Sequence, residues 1–259
     1  MKNLILVALS MSLLAGSAEA KVHKHTHIVN PPAFSSKSFL VASDDGTILR
    51  EQDGDTVRPI ASISKLMVAV LASEQDLNEV LEIPPTRQVQ SGIPKYVKTL
   101  TRYELLTMAL IKSDNFAAQI LCANLPNCVQ SMNNKAFELG MMNTHYEEPT
   151  GLDRGNVSTA HDLLKLVMYA SGNETITDIS HQSSAEILLF NKKSIKIRNT
   201  NPLTAKLDIF LSKTGYTNPA GGCLVMILNT AIGHKIYILL GSRNAHTRIP
   251  DMEKLIKES

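Results

Sequence analysis

The sequence predicts a mixed α+β fold in which strands lie at both ends of the chain and helices lie between them. Near the N-terminus, the segment FLVASDDGTILRE places two apolar runs around Asp45-Gly46, a dipeptide typical of a tight hairpin turn. Near the C-terminus, the strand-like runs 223–230 and 235–241 flank Gly233 and predict a second hairpin. We therefore expect the terminal strands to share one antiparallel sheet.

Helical patterns fill the middle of the chain. Thr101 is followed three residues later by Glu104, which is a capping box at the start of the segment TRYELLTMALI. Ser158 and Thr159 are candidate caps of a later helix. The predicted helices are 62–73, the one after Thr101, 116–123, 129–140, 158–171 and 251–258. Residues 178–211 are instead predicted to form strands and turns.

Composition excludes several classes of protein. The chain has 259 residues, and without internal repeats or a long linker we expect a single domain over 35–259. Hydrophobic residues make up 44%, which is enough for a sizeable core. The 26 basic and 24 acidic residues give a net charge of +2, without the basic excess of a nucleic-acid-binding protein. Three cysteines are too few for a disulfide scaffold.

The first twenty residues have the pattern of a secretory signal peptide. Lys2 supplies a positive charge, residues 4–15 are mostly apolar, and an Ala-Glu-Ala cleavage signal ends at residue 20. The apolar run is shorter than the ~20 residues that a spanning helix needs. We therefore expect residues 1–20 to be removed and the protein to reach the periplasm without a stable membrane anchor. An uncut N-terminal anchor is the alternative.

The segment after the cleavage signal, residues 21–34, is predicted to be a flexible mature N-terminus. His23, His25 and His27 alternate within it, and such a tract can bind a metal ion. We favour the flexible terminus, because chain termini are usually poorly ordered.

Export also changes how the cysteines are interpreted. Cys122 and Cys128 flank a short loop, and in an oxidising compartment they can form a disulfide. Two free thiols are the alternative, because the sequence does not supply the geometry that a disulfide requires. Cys223, in GGCLVMIL, is predicted to be a small buried strand residue.

One serine has a lysine three positions later, in the segment ASISKLM. Ser62 and Lys65 share a helix face at that spacing, so a neutral lysine amine can accept the proton of the serine hydroxyl. Ser62 also lies at the helix start, where backbone N–H groups favour developing negative charge. The alternative is a helix cap beside a solvated lysine.

Two further short motifs strengthen this interpretation. Ser113-Asp114-Asn115 ends a helical pattern, and Lys213-Thr214-Gly215 enters a strand-like segment. Either tripeptide is expected by chance only about 0.03 times in a chain of this length. The three motifs also occur in a fixed order in a chain that is predicted to be exported. A catalytic interpretation is therefore favoured over coincidence.

This triple set resembles the signature of the penicilloyl-serine transferases, which include penicillin-binding proteins and class A β-lactamases. The segments VRPIASISKLM, MNTHYEEPTGLD, NVSTAHDLLKL, IRNTNPL and SKTGYTNPAGGCLVM are similar to those of low-molecular-mass DD-peptidases, especially the D-alanyl-D-alanine endopeptidase type. The resemblance covers about residues 35–245. It implies a helical lobe beside a five-stranded antiparallel sheet, with the active site between them.

The resemblance also implies catalytic roles. Ser62 is the nucleophile that attacks the carbonyl carbon of a D-alanine, Lys65 is its general base, and Ser113 relays a proton to the leaving amine. Asn115 orients Lys65 and the substrate peptide. Lys213 disfavours protonation of Lys65 by like-charge repulsion.

Substrate binding is implied for the Lys213-Thr214-Gly215 segment, in which Lys213 and Thr214 hold the substrate carboxylate. The backbone N–H groups of Ser62 and Tyr216 are implied to form the oxyanion hole. Arg198 is a further candidate for substrate binding. No metal or organic cofactor is implied.

Departures from the family pattern keep several functions open. Asp114 is the β-lactamase form of its motif, but the segment EEPTGLDRGN lacks the Glu-x-x-Leu-Asn loop that carries the deacylating base of class A enzymes. The favoured function is an endopeptidase acting on peptidoglycan peptides and covalently inhibited by β-lactams, with no nucleic-acid partner. The alternatives are a D-alanyl-D-alanine carboxypeptidase, a β-lactamase, and a non-catalytic peptidoglycan or β-lactam binder.

Overall fold

A computed structural model describes residues 34–86, 89, 91–189 and 193–259 of the chain. The strands in these ranges are β1 (Ser38–Ser43), β2 (Ile48–Gln52), β3 (Arg58–Pro59), β4 (Val80–Glu82), β5 (Thr99–Thr101), β6 (Val157–Ser158), β7 (Ser184–Leu188), β8 (Ser194–Arg198), β9 (Ile209–Thr217), β10 (Gly221–Thr230) and β11 (Gly233–Ser242). The α-helices are α1 (Ser64–Ser73), α2 (Arg102–Ile111), α3 (Asn115–Ala123), α4 (Cys128–Glu138), α5 (Ala160–Ser171), α6 (Glu174–Ser180) and α7 (Arg248–Lys257). Two 3-10 turns span Ala61–Ile63 and Pro202–Ala205.

The central element is a five-stranded antiparallel sheet built from both ends of the chain, in the order β2-β1-β11-β10-β9. β1 pairs with β11 so that Leu40 lies opposite Ile238. Gly46 adopts a φ of +84° in the first hairpin, a backbone conformation that glycine tolerates without steric cost. The predicted α+β fold and the shared terminal sheet are therefore confirmed. β9, which carries Lys213-Thr214-Gly215, is an edge strand of this sheet.

Alternation along the strands gives the sheet two buried faces. On β11, Ile238 and Leu240 belong to the large core, whereas Tyr237 and Leu239 belong to a smaller one. The smaller core lies beneath α7, whose Met252 and Leu255 are fully buried. A strand that is apolar on both faces must be covered on both, which is why helices lie on each side of this sheet.

Helix α1 occupies the middle of the helical region. It contacts α2, α3, α4, α5 and α6, and every residue from Ser64 to Ala72 is buried. A helix that is apolar around its whole circumference is stable only in such surroundings. The lysine at its second position is therefore carried into the protein interior.

Local signals fixed several boundaries correctly. Thr101 and Glu104 form both hydrogen bonds of the predicted capping box, and Thr159 caps α5 through the backbone N–H of Asp162. The prediction of strands and turns from residue 178 was wrong at its start, because helix α6 runs from Glu174 to Ser180. The side chain of Asn173 caps that helix by accepting from the backbone N–H of Ile176.

Residues 34–259 form one compact unit. The predictions for the signal peptide 1–20 and for His23, His25 and His27 lie outside the described residues. Phe34, at the end of the predicted flexible segment, packs its ring 4.8 Å from that of Phe39. Within the described ranges, every helix is too short or too polar to reach across a lipid bilayer.

Candidate active site

Ser62 lies on a tight turn that leads into α1. The preceding residue, Ala61, has a φ of +48°, an uncommon conformation for a residue with a side chain. The hydroxyl of Ser64 donates to the carbonyl of Ala61 at 2.9 Å, and the buried Asn156 amide donates to Ser64 Oγ at 2.9 Å. The turn is thus held from within α1 and from the loop that precedes β6, while Ser62 itself stays partly exposed.

The buried side chain of Lys65 contacts this serine from the protein interior. Its Nζ is fully buried and lies 2.8 Å from Ser62 Oγ, 2.7 Å from Asn115 Oδ1 and 2.6 Å from the carbonyl oxygen of Thr150. A neutral amine has two N–H donors and one lone pair. Because the two carbonyl oxygens can only accept, they take both N–H groups, and the lone pair is left facing the Ser62 hydroxyl. This is the arrangement that a general base requires.

The charge state of Lys65 fits the same role. Burial lowers its pKa from 10.5 to about 7, although the negative charges of Glu148 and Asp114 oppose that shift. A substantial fraction of the amine is therefore neutral near pH 7, in contrast to an exposed lysine.

The Ser113-Asp114-Asn115 motif connects α2 to α3. Ser113 has a φ of +57°, which turns its side chain back towards the site. Asp114 caps α3 by accepting from the backbone N–H of Ala117 at 2.9 Å, and the same carboxylate accepts from Gly92 N at 2.5 Å and from Ser91 Oγ. Asp114 therefore holds the loop at residues 91–93 beside Ser113. Asn115, the first residue of α3, then points its amide at Lys65.

The third motif lies on β9, on the opposite side of the site. Lys213 is fully buried, and its Nζ lies 2.7 Å from Ser113 Oγ and donates to the carbonyl of Thr214 at 2.8 Å. Burial lowers the pKa of Lys213, and the positive charges of Lys65 and Arg248 lower it further. The like-charge repulsion expected between the two lysines thus contributes to the lowered pKa of Lys213. A bound carboxylate would raise it again.

Gly215 brings β9 close to the turn that carries Ser62. A Cβ atom at this position would lie 2.9 Å from the carbonyl oxygen of Ile60 and 3.0 Å from the backbone nitrogen of Ser62. Only glycine permits this approach without a shift of the backbone. The next residue, Tyr216, is partly exposed, and its hydroxyl donates to Asn218 Oδ1 at 3.0 Å. The three sequence motifs therefore meet at one place.

Comparison with known proteins agrees with this geometry. The sequence model of the D-alanyl-D-alanine carboxypeptidase family of peptidases matches residues 25–243. The chain belongs to this family. It is 34% identical to a D-alanyl-D-alanine endopeptidase of Escherichia coli and 33% identical to one of Pseudomonas aeruginosa, and each match covers 98% of this chain and 86% of the relative. The resemblance inferred from the motifs is confirmed, and the chain is a serine hydrolase.

Solved structures show the same fold. A penicillin-binding protein of Listeria monocytogenes in its ampicillin-bound form is 29% identical, with a TM-score of 0.79 over 88% of this chain and 98% of that one. A Streptomyces DD-transpeptidase is 22% identical with a TM-score of 0.80, again over 88% of this chain and 98% of that one.

In this DD-peptidase family member, an arginine that the sequence analysis did not name contacts the β9 motif. Arg198 is exposed at the end of β8, because Ile195 and Ile197 alternate inwards on that strand, and it lines a separate cavity of about 350 Å³. Arg248, on α7, donates to the carbonyl of Gly215 at 2.9 Å and to that of Thr200 at 3.4 Å. No sequence signal marks Arg248, because only the packing of α7 on the sheet places it there.

Thr200 was also missed by the sequence analysis. Its hydroxyl lies 2.6 Å from that of Thr214, and the Arg-Asn-Thr-Asn stretch quoted for Arg198 contains it. The stretch therefore reaches the site through its third residue, two positions after Arg198.

A cavity of about 480 Å³ opens beside Ser113 in this serine hydrolase. It is lined by Ser91, Gly92 and residues 112–115. Lys112 is exposed at its wall. The cavity therefore places open space next to the hydroxyl that faces Lys213.

The three cysteines form one disulfide and one free thiol. The structure joins Cys122 to Cys128 by a disulfide between the end of α3 and the start of α4, and Cys223 is buried on β10. Over the described ranges, no group of three or more His, Cys, Asp or Glu side chains could hold a metal ion.

Proposed function

We propose that this serine DD-peptidase hydrolyses D-alanyl cross-links of peptidoglycan through an acyl-enzyme on Ser62. The observation that carries the proposal is the hydrogen-bond arrangement of Lys65. Both of its N–H groups face fixed acceptors, Asn115 Oδ1 and the Thr150 carbonyl, so its lone pair is directed at Ser62 Oγ. A serine with a buried, partly neutral amine at 2.8 Å is an activated nucleophile.

Acylation follows from these contacts. Lys65 takes the Ser62 proton as Oγ forms a bond to the D-alanyl carbonyl carbon, and the backbone N–H groups of Ser62 and Tyr216 stabilise the resulting oxyanion. The C–N bond then breaks. Ser113 gives its proton to the leaving amine, and Lys213, 2.7 Å away, stabilises the Ser113 oxygen. Lys65 then passes the proton taken from Ser62 to the Ser113 oxygen, so Lys65 is neutral again. Water attack with Lys65 as base completes hydrolysis and restores Ser62.

The substrate carboxylate is proposed to bind at the β9 end of the site. Lys213 and Thr214 supply a cation and a hydroxyl, as the family resemblance implies. Arg248 adds a second buried positive charge against Gly215. A carboxylate between two cations forms strong charge-assisted hydrogen bonds.

Two observations support an endopeptidase rather than a carboxypeptidase. The relatives at 34% and 33% identity are named D-alanyl-D-alanine endopeptidases. An endopeptidase releases a bulky peptide amine where a carboxypeptidase releases only D-alanine, and the cavity of about 480 Å³ beside Ser113 offers room on the leaving-group side. The carboxypeptidase remains the second candidate, because the family model and a relative from Mycobacterium tuberculosis at 32% identity carry that name.

The two candidates differ in rate order on matched substrates. Purified mature protein should convert cross-linked dimeric muropeptides to monomers faster than it trims pentapeptide monomers, as followed by product masses. Ser62→Ala is the control and should do neither. The opposite rate order would make the protein a carboxypeptidase, and no product from either substrate would refute the DD-peptidase assignment.

β-lactams are proposed to act as slowly released covalent inhibitors. The Listeria relative binds ampicillin in its solved structure. A class A β-lactamase needs a carboxylate free to activate water, but Glu148 accepts backbone N–H groups through both of its oxygens and Glu147 lies 3.1 Å from His145. A penicilloyl ester on Ser62 should therefore persist. Fast penicillin hydrolysis would support the β-lactamase alternative, and binding without an ester would support the non-catalytic binder.

Periplasmic localisation is part of the same proposal. It rests on the signal-peptide pattern of residues 1–20 and on the proposed peptidoglycan substrate. N-terminal sequencing of the protein from a periplasmic fraction should begin after residue 20. An intact Met1 in a membrane fraction would favour the uncut anchor.

A further inference from the structure

We propose that Glu148 is a positioning residue for the general base, because its carboxylate folds residues 148–152 so that the Thr150 carbonyl fixes the amine of Lys65. The inference rests on the proposed function, in which Lys65 accepts the proton of Ser62. It assigns a role to a residue outside the three sequence motifs.

The carboxylate of Glu148 is the centre of its own loop. Oε2 accepts from the backbone N–H of Thr150 at 2.7 Å and from its hydroxyl at 2.5 Å. Oε1 accepts from the backbone N–H of Gly151 at 2.5 Å and from that of Leu152 at 2.8 Å. The carboxylate therefore organises the backbone of this loop next to the site.

One of these bonds sets the direction of the catalytic carbonyl. The N–H of Gly151 and the C=O of Thr150 belong to the same planar trans peptide, so they point in opposite directions. When Glu148 holds that N–H, the carbonyl must point away from the carboxylate. In the structure it points at Lys65, with Nζ 2.6 Å from the oxygen.

The loop also packs against the turn that carries Ser62. Gly151 has a φ of +78°, and a Cβ there would lie 1.8 Å from the carbonyl oxygen of Ala61. Asn156 accepts from the backbone N–H of Glu148 and donates to Ser64 Oγ. A change at Glu148 is therefore transmitted to the Ser62–Lys65 pair through a short chain of defined contacts.

Charge gives the second part of the effect. Two carboxylates on separate elements act on the Lys65 amine, Glu148 on its loop and Asp114 at the start of α3. The neighbouring cation on β9, Lys213, has its own pKa lowered by Lys65. The two carboxylates raise the pKa of Lys65 against the lowering by burial. Removing the charge of Glu148 should thus lower the pKa of Lys65 and free its carbonyl anchor at the same time.

The direct test is the titration of Lys65 itself. Lysine labelled at Cε is followed by NMR against pH in the mature protein, with Lys65→Arg used to assign the signal. Glu148→Gln should lower the pKa of Lys65. Glu147→Gln is the matched control, since that side chain contacts exposed His145, and it should leave the pKa unchanged. An unchanged pKa in folded Glu148→Gln would overturn the inference.

The rate and pH dependence of acylation by penicillin distinguish the positioning effect of Glu148 from the effect of its charge. Glu148→Gln should slow acylation at least about tenfold at its pH plateau, because small misplacements of catalytic groups carry such costs, and its acid limb should move to lower pH. Glu148→Asp keeps the negative charge, but its side chain is one methylene shorter. Acylation of this variant should therefore be slow, with an acid limb at a pH near that of the wild type. If Glu148→Gln does not fold, a normal rate in Glu148→Asp overturns the inference. Failure of wild-type protein to acylate would instead refute the proposed function, and the NMR titration would still decide the role of Glu148.

Discussion

The amine of Lys213 lies 2.7 Å from the hydroxyl of Ser113, although 100 residues separate them in the sequence. This contact joins the helical side of the site to the edge strand of the sheet. It also gives the Ser113 oxygen a buried cation when a bound carboxylate raises the pKa of Lys213 and so favours its protonated form. Proton transfer to the leaving amine should therefore depend on both residues.

Ser113→Ala should slow acylation by about 10²–10⁴-fold, the usual contribution of a positioned acid or base. The measurement is stopped-flow acylation with a chromogenic β-lactam and cleavage of muropeptide dimers. Ser91→Ala is the matched control, because Ser91 lines the same cavity and contacts Asp114 without touching Lys213. Equal losses in the two variants would contradict the relay role of Ser113.

The acid limb of catalysis should report Lys65. Because the base must be neutral and burial places its pKa at about 7, kcat/KM should rise with pH through about 7 and fall about tenfold per unit below it. Lys65→Arg should be nearly inactive at all these pH values, because a guanidinium does not lose its proton there. A flat profile between pH 5 and 8 would exclude Lys65 as the base.

Arg248 and Arg198 provide a matched pair for carboxylate binding. Arg248→Gln should lower kcat/KM by about 10–100-fold, mainly through KM, since a hydrogen bond to a charged group contributes about 1.5–3 kcal/mol. Arg198→Gln should change kcat/KM little, because that side chain is exposed on β8. Arg248 is largely buried, so thermal unfolding of its variant is measured in parallel. A larger loss of kcat/KM in Arg198→Gln than in Arg248→Gln would assign carboxylate binding to Arg198 instead.

The disulfide should stabilise the fold without taking part in catalysis. Replacing both Cys122 and Cys128 by Ser should lower the free energy of unfolding by about 2 kcal/mol, the amount expected for so short a loop. Acylation of the folded variant should be unchanged. Cys223→Ala keeps the pair, so its unfolding should remain sensitive to reductant. If reductant left the free energy of unfolding of the wild type unchanged, that result would contradict the disulfide between Cys122 and Cys128.

What the sequence could predict was local or carried by motifs. The capping box at Thr101 and the turn at Gly46 depend on neighbouring residues, and the three motifs marked side chains that the fold brings together. Helix α6 was missed because ETITDIS is rich in β-branched residues, which favour strands, and packing overrides that preference. The positions of Arg248 and Glu148 depend on α7 docking on the sheet and on the fold of one loop. Neither contact has a signature in the sequence.

The most direct test of the account is the mass of the mature protein after incubation with penicillin, followed by mapping of the modified peptide. The account predicts one long-lived adduct, located on Ser62, that is absent from Ser62→Ala and forms far more slowly in Lys65→Arg. An adduct on another residue, or an adduct that forms equally fast without the Lys65 amine, would contradict it.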